Sequence, residues 1–196
     1  MERSRLVLAS ASPRRTDLLG QIGIIPDAVI PAEIDEIPKR TELPRELAAR
    51  LSLAKARAVA KDNSDCFVLA ADTVVACGRR SLPKALTEDD VRACLKLISG
   101  RRHRVYGGVC LITPAGLEIT RVCMTAVYFK QLSHSEIEAY VQSEEWQGKA
   151  GGYAIQGLAG AFVKKINGSY ANVVGLPIHD VSAMLSGNGY PVFQIG

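Results

Sequence analysis

The sequence predicts an α/β fold built on a mixed sheet. Short apolar runs alternate along the chain with segments of helical periodicity. Two of the runs, "RVYGGVCLIT" and "LEITRVCMTAVYF", are joined by "PAG" and read as an antiparallel hairpin, so the sheet is not purely parallel. With 196 residues, 47% hydrophobic and 22% charged, the chain has ordinary globular composition and length enough for a substantial core. It shows no repeat and no low-complexity linker, so residues 1–196 read as one domain.

In chain order, a strand is expected over 5–9, "RLVLA". A helix follows over 13–22, with Ser12 as N-cap and Pro13 in the first helical position. Further strands are expected over 27–30, 66–76, 104–113, 118–129 and 161–166, and helices over 44–61, 87–99, 133–144 and 176–186. The helix at 87 opens with Thr87 and has Asp90 three residues on, close to a capping box. Its first turn is acidic, as the helix dipole prefers. The first helix is the exception, because Arg14 and Arg15 fall where the dipole disfavours cations.

Several classes of function are excluded. No apolar run approaches the roughly 20 residues of a membrane span. The N-terminal apolar patch is too short for a signal-peptide core and arginines close it, so a cytoplasmic protein is expected. The five cysteines are widely spaced, with no CxxC, which argues against a disulfide framework or a zinc site. The three histidines are far apart. A net charge of +4 suits an anionic ligand as well as nucleic acid, but aromatics are only 6% of the chain and argue against a nucleic-acid platform.

Five stretches could carry chemistry. In "ASASPRR" a turn of small residues and a basic helix start make an anion site, with Ser10, Ser12, Arg14 and Arg15 as donors; the plain alternative is a pair of solvated arginines. In "CFVLAADTVVACG" one carboxylate, Asp72, interrupts a buried strand, so it must be paired, metal-bound or at the strand's exposed carboxyl end. Thr73 beside it is a ligand contact or simply a strand residue. In "ELAARLSLAKARAVAK" Lys55 falls within an apolar helical sector, where it either meets an anion or extends its stem outward to water. The loop "PAEIDEIP" offers Glu33, Asp35 and Glu36, suited to magnesium or merely solvated. The glycine-rich stretch from 148 to 177 is neither a Walker loop nor a dinucleotide fingerprint, and Lys149, Gln156 and Ser169 are its most useful polar groups.

Taken in order, "LASASPRR", "EIDE", "LAKARAVA", "AADTVV", "SGRRHRVYGGV", "GKAGGYAIQG" and "NGSYANVVGLP" resemble the Maf family of nucleoside triphosphate pyrophosphatases over about residues 6–186. The resemblance implies a long twisted mixed sheet with flanking helices, two lobes around a central cleft, and an assembly that is often a homodimer. It implies hydrolysis of a nucleoside triphosphate to monophosphate and pyrophosphate with a divalent cation, magnesium or manganese. By motif, Asp72 and Glu36 would be the catalytic, metal-holding acids. Ser10, Arg14, Arg15, Lys55 and Lys84 would hold the phosphates. Thr73 and Gln156, with Arg14, are similar to the dTTP- and UTP-preferring branch rather than the 7-methyl-GTP branch. Two positions depart from the family: Ala85 follows Lys84 where proline is usual, and Gly107 stands where a hydroxyl residue is common, which should loosen a local contact. Rival expectations are an ITP/XTP house-cleaning pyrophosphatase and a non-catalytic nucleotide- or nucleic-acid-binding regulator of cell division.

Overall fold

A computed structural model describes residues 4–192. Strands β1 (Leu6–Ala9), β2 (Ala28–Val29), β3 (Phe67–Cys77), β4 (Arg80–Leu82), β5 (Arg102–Ile112), β6 (Glu118–Phe129) and β7 (Val163–Asn167) form one sheet. Its order is β2-β1-β3-β5-β6-β7, with β4 also paired to β3. β2, β1 and β3 run parallel, and β5, β6 and β7 continue antiparallel, so the sheet is mixed as expected. The helices are α1 (Pro13–Gly20), α2 (Pro44–Ala60), α3 (Glu88–Ile98), α4 (His134–Gln142), α5 (Tyr170–Val174) and α6 (Ile178–Gly187).

The expected elements are present, most with ends moved by one or two residues. Two were missed: β4, only three residues long, and α5, a single short turn. The segment from 158 divides into a 3-10 turn, Leu158–Phe162, and then β7. The hairpin pairs in unbroken register from Arg102↔Tyr128 to Ile112↔Glu118. Thr87 caps α3 as a full box with Asp90, and Ser133 does the same for α4 with Glu136. Ser12 stands at the N-cap of α1, but its hydroxyl makes no capping bond; its own N–H donates to Ser10 Oγ at 3.1 Å. The start of α1 is therefore organised around Ser10.

One face of the sheet carries α2. Ala56 and Val59 pack on Val7, Val68, Ala70 and Cys110, and Leu47 and Leu51 pack on Val74. The opposite face carries two separate apolar clusters. At one end Leu18, Leu19, Met184 and Leu185 of α1 and α6 cover Leu6, Leu8, Leu69 and Leu111. At the other, α3 and α4 cover Val75, Val105, Val127 and Phe129 with Leu95, Ile98, Ile137 and Tyr140. Burying about 100 Å² of such surface contributes roughly 2.5 kcal/mol, so each cluster anchors its end of the long strands firmly.

Between the clusters β3 has an open stretch of edge. β5 lies along one side of it continuously from Val68 to Ala76. On the other side β1 pairs only as far as Ala70, and β4 takes over only from Val75. Residues 71–74 thus have no strand neighbour on that side. Asp72 and Thr73 lie in this interruption.

Candidate active site

A cavity of about 330 Å³ opens at the gap. Its walls include the nine residues that the family resemblance assigns to the site, Ser10, Arg14, Arg15, Glu36, Lys55, Asp72, Thr73, Lys84 and Gln156, and also Ser12 and Lys149, but not Glu33 or Asp35. The size is that of a small-molecule site.

Asp72 sits in mid-strand, not at the strand's end, and is 6% exposed. Burial of a lone carboxylate is costly, and the cost is offset by Lys55. Lys55, 8% exposed, donates its ammonium to Asp72 Oδ1 at 2.5 Å, and that ammonium lies 2.6 Å from Glu36 Oε1. The outward-reaching alternative for Lys55 is therefore wrong, because Asp72 lies under the same face of α2. Lys84 donates to the other Glu36 oxygen at 2.6 Å. Burial alone would raise the Glu36 carboxyl, but the hydrogen bonds from Lys55 and Lys84 hold it down to about 2. The loop carrying Glu36 is fastened across the cleft by two ammonium groups.

A pair of glycines makes this geometry possible. Asp72 is opposite Gly108 in the ladder, and Thr73 is opposite Gly107. A Cβ on Gly108 would lie 2.0 Å from the Ala48 carbonyl oxygen, so α2 rests directly on the strand there. That close approach lets Lys55, two turns further along α2, reach Asp72. On the opposite face a Cβ on Gly107 would lie 1.9 Å from Asn172 Oδ1. Gly107 does not loosen the site: its missing side chain admits Asn172, fully buried, whose amide donates to Thr125 Oγ1 and to the Val105 carbonyl. Gly108 escaped sequence reasoning altogether, since nothing local requires it.

Arg15 is buried with all three guanidinium nitrogens engaged. Nε donates to the Gly175 carbonyl at 2.9 Å, Nη1 to Ser10 Oγ at 3.0 Å and Nη2 to Thr73 Oγ1 at 3.4 Å. Burial lowers its pKa, with Asp72 pulling the other way. Arg15 therefore ties the β1–α1 turn to Thr73 and to the end of α5. Arg14 is half-buried, and its Nε donates to the Val174 carbonyl at 3.4 Å.

The glycine-rich loop closes the cleft from the far side. Glu145 Oε2 accepts from the Leu158 N–H at 2.8 Å, and a Cβ on Gly157 would lie 2.0 Å from that oxygen. Gly157 thus lets Glu145 brace the chain just after Gln156. Tyr153 lines the cleft, and its hydroxyl is 2.7 Å from His103 Nε2. Burial pushes His103 down to about 4 and the Tyr153 hydroxyl up. Ser169 is not in the cleft wall; it caps α5 by accepting from the Asn172 N–H.

The main-chain departure at Ala85 also has a use. Its N–H donates to the Lys149 carbonyl at 3.1 Å, and the Gly148 N–H donates to the Ala85 carbonyl at 2.9 Å. Proline at 85 has no such hydrogen to give. The segments holding Lys84 and Lys149 are thereby joined.

A model of the Maf family, described as Maf-like protein, matches residues 5–188. The chain belongs to the Maf family. Among curated relatives, the dTTP/UTP pyrophosphatase of Mesorhizobium japonicum is 59% identical to this Maf chain, over 97% of the chain and 94% of its own length. That of Caulobacter vibrioides is 60% identical, over 94% and 96%. The solved structure of the Staphylococcus aureus Ham1 protein superposes with a TM-score of 0.55, covering 94% of this chain and 99% of that one at 14% identity. This is a likeness of fold. Among the described residues no helix is long and apolar enough to cross a membrane.

The Maf cleft fits a divalent cation in one specific way. No group of three or more Asp, Glu, His or Cys side chains converges among the described residues. Two carboxylates, Asp72 and Glu36, do converge on one positive charge, the Lys55 ammonium. Magnesium needs only one or two protein carboxylates when substrate phosphate and water complete its shell.

Proposed function

We propose that this Maf protein hydrolyses dTTP and UTP to the monophosphate and pyrophosphate, as the names of its relatives suggest. One observation carries the reading: an acid pair and a surplus of cations face each other inside one cleft that also presents Thr73 and the Gln156 amide. A divalent cation, magnesium or manganese, would be held by Asp72 and Glu36 and would supply charge neutralisation on phosphate. We read residues 1–196 as one domain whose two apolar clusters flank the cleft.

The protein's own work is positioning and electrostatics. Lys55 and Lys84 turn from Glu36 toward phosphate oxygens as substrate enters, and Arg14 meets the tail from the other side. Arg15 holds Ser10 and Thr73 in place. A water attacks the α-phosphorus, and Asp72 takes its proton on a carboxylate oxygen. The bond from the α-phosphorus to the bridging oxygen breaks, and pyrophosphate leaves with the electron pair. The Gln156 amide donates and accepts, which matches a pyrimidine edge carrying both a carbonyl and an N–H.

The test is a panel of dTTP, UTP, CTP, ITP, XTP and GTP with magnesium or manganese, read as pyrophosphate release. The expected result is turnover of dTTP and UTP above the rest, lost by at least a thousandfold in Asp72→Asn with unchanged melting cooperativity. Preferential turnover of ITP and XTP would replace the pyrimidine reading, and no pyrophosphate from any nucleotide would leave a binding protein.

A further inference from the structure

The positive charge in the cleft is unevenly compensated. Lys55 and Lys84 are neutralised by Asp72 and Glu36. Arg14 and Lys149 line the same wall, and among the described residues neither has a carboxylate within ion-pair distance. Arg14 rests on the Val174 carbonyl, and Lys149 Nζ rests on the Gln147 carbonyl at 3.1 Å. Glu145 is the acid nearest in effect to Lys149, but its carboxylate is occupied by the Leu158 N–H. Burial first, and then Arg14, lower the Lys149 ammonium's pKa, against an opposing pull from Glu145. Two half-buried cations that repel each other across a cavity store a demand for an anion.

Lys149 is also held in place for such a role. Its own carbonyl accepts from the Ala85 N–H, and the Gly152 N–H donates to the same carbonyl at 3.0 Å. Gly151 and Gly152 adopt positive φ, 70° in each case, so the chain turns sharply just after it. A Cβ on Gly151 would lie 2.7 Å from Val75 Cγ1, so the turn packs directly on β3. The backbone of Lys149 is thus fixed against the strand that carries Asp72, while its side chain keeps one weak neutral contact.

We propose that Lys149 is a further substrate-binding residue, which with Arg14 receives the pyrophosphate end of the polyphosphate. The assignment rests on the pyrophosphatase reading for its substrate, and on the charge asymmetry for its position. The leaving group carries most of the nucleotide's negative charge, and the cations without a carboxylate partner are where that charge gains most.

The experiment compares the wild type with Lys149→Met, which keeps the aliphatic stem, and Lys149→Arg, which keeps the charge. Calorimetric binding of inorganic pyrophosphate and of UMP is measured for each full-length protein, with melting curves as the control for folding. Pyrophosphate binding weaker by about tenfold to a hundredfold in Lys149→Met, largely restored in Lys149→Arg, with UMP binding unchanged, is expected. Equal pyrophosphate binding in wild type and Lys149→Met overturns the proposal. So does a loss confined to UMP, which would put Lys149 at the nucleoside end, or an equal loss of both ligands, which would mean a displaced loop. A wild type that binds pyrophosphate but turns over no nucleotide would sink the proposed activity and leave the anion site standing.

Discussion

Replacing Lys55 by methionine tests the centre of the site. The side chains of Lys55 and Asp72 are 10% and 8% exposed, and their charges meet at 2.5 Å. Methionine preserves the stem that runs from α2 toward β3 and deletes only the ammonium. The Asp72 carboxylate is then buried without its cation, a change that costs about 3–5 kcal/mol in comparable buried pairs. For a chain of this size each kcal/mol lowers Tm by roughly 2–4 °C, so a fall of about 6–20 °C is expected. The double variant Lys55→Met/Asp72→Asn removes both charges and should recover most of the loss, the non-additivity expected of a pair in direct contact. The single variant also leaves Asp72 and Glu36 converging on a vacated position of positive charge. Millimolar manganese should therefore raise its Tm by several degrees more than it raises that of the wild type; at a concentration about 100 times Kd the stabilisation is about 2.7 kcal/mol. Thermal and urea unfolding of the wild type, Lys55→Met, Asp72→Asn and the double variant, with and without manganese, read all of this. Single and double variants of equal stability, or equal manganese shifts with and without Lys55, would refute the idea that this ammonium occupies the cation position between the two acids.

Other expectations concern the frame around that pair. Gly108→Ala places a Cβ 2.0 Å from the Ala48 carbonyl oxygen, so α2 must move; a loss of at least about 2 kcal/mol in urea unfolding and a fall in kcat from the displaced Lys55 are expected. His103 is held near pKa 4 by burial, against about 6.5 when unfolded, so the unfolded chain takes up the proton first. Stability should fall as pH drops from about 6.5 to about 4, by about 1.4 kcal/mol per unit and about 3 kcal/mol in all, and His103→Phe should flatten that slope in urea titrations at several pH values. Gln156→Glu removes the amide donor at the cleft wall and should change the ratio of dTTP to GTP turnover by about tenfold while changing the best rate less, as a competition assay would show.

Much of this was legible in the chain because the signals are local. Thr87 and Asp90 announce a helix start by themselves, and "PAG" between two β-branched runs announces a hairpin. The acid in "VLAADTVV" was conspicuous because burying it demands a partner. What stayed hidden was decided at long range. Lys55 could have reached water; only its position above Asp72, seventeen residues on, decides otherwise. Gly108 is an unremarkable strand residue until the Ala48 carbonyl is laid against it. Gly107 looked like a lost hydroxyl, because Asn172 lies far along the sequence on a helix too short to predict. Ser12 looked like a cap because its neighbours fit the pattern, yet Ser10 receives the Ser12 N–H and the Arg15 guanidinium.

The break in the edge of β3 explains why these distant choices belong together. Asp72 and Thr73 are neighbours on a strand, so their side chains point to opposite faces of the sheet. Asp72 accordingly meets Lys55 of α2, while Thr73 meets Arg15 of α1. One ligand can touch both only by lying at the edge of the strand, where neither face blocks it. That edge is open because β1 stops at Ala9 and the Ser10 N–H folds back to the Leu8 carbonyl at 3.1 Å, turning the chain away before it reaches Asp72. Had β1 continued for two more residues, its backbone would stand beside Asp72 and pair with it. The small residues Ser10, Ala11 and Ser12 are thus as necessary to the cleft as its acids: they end the strand where the cleft begins.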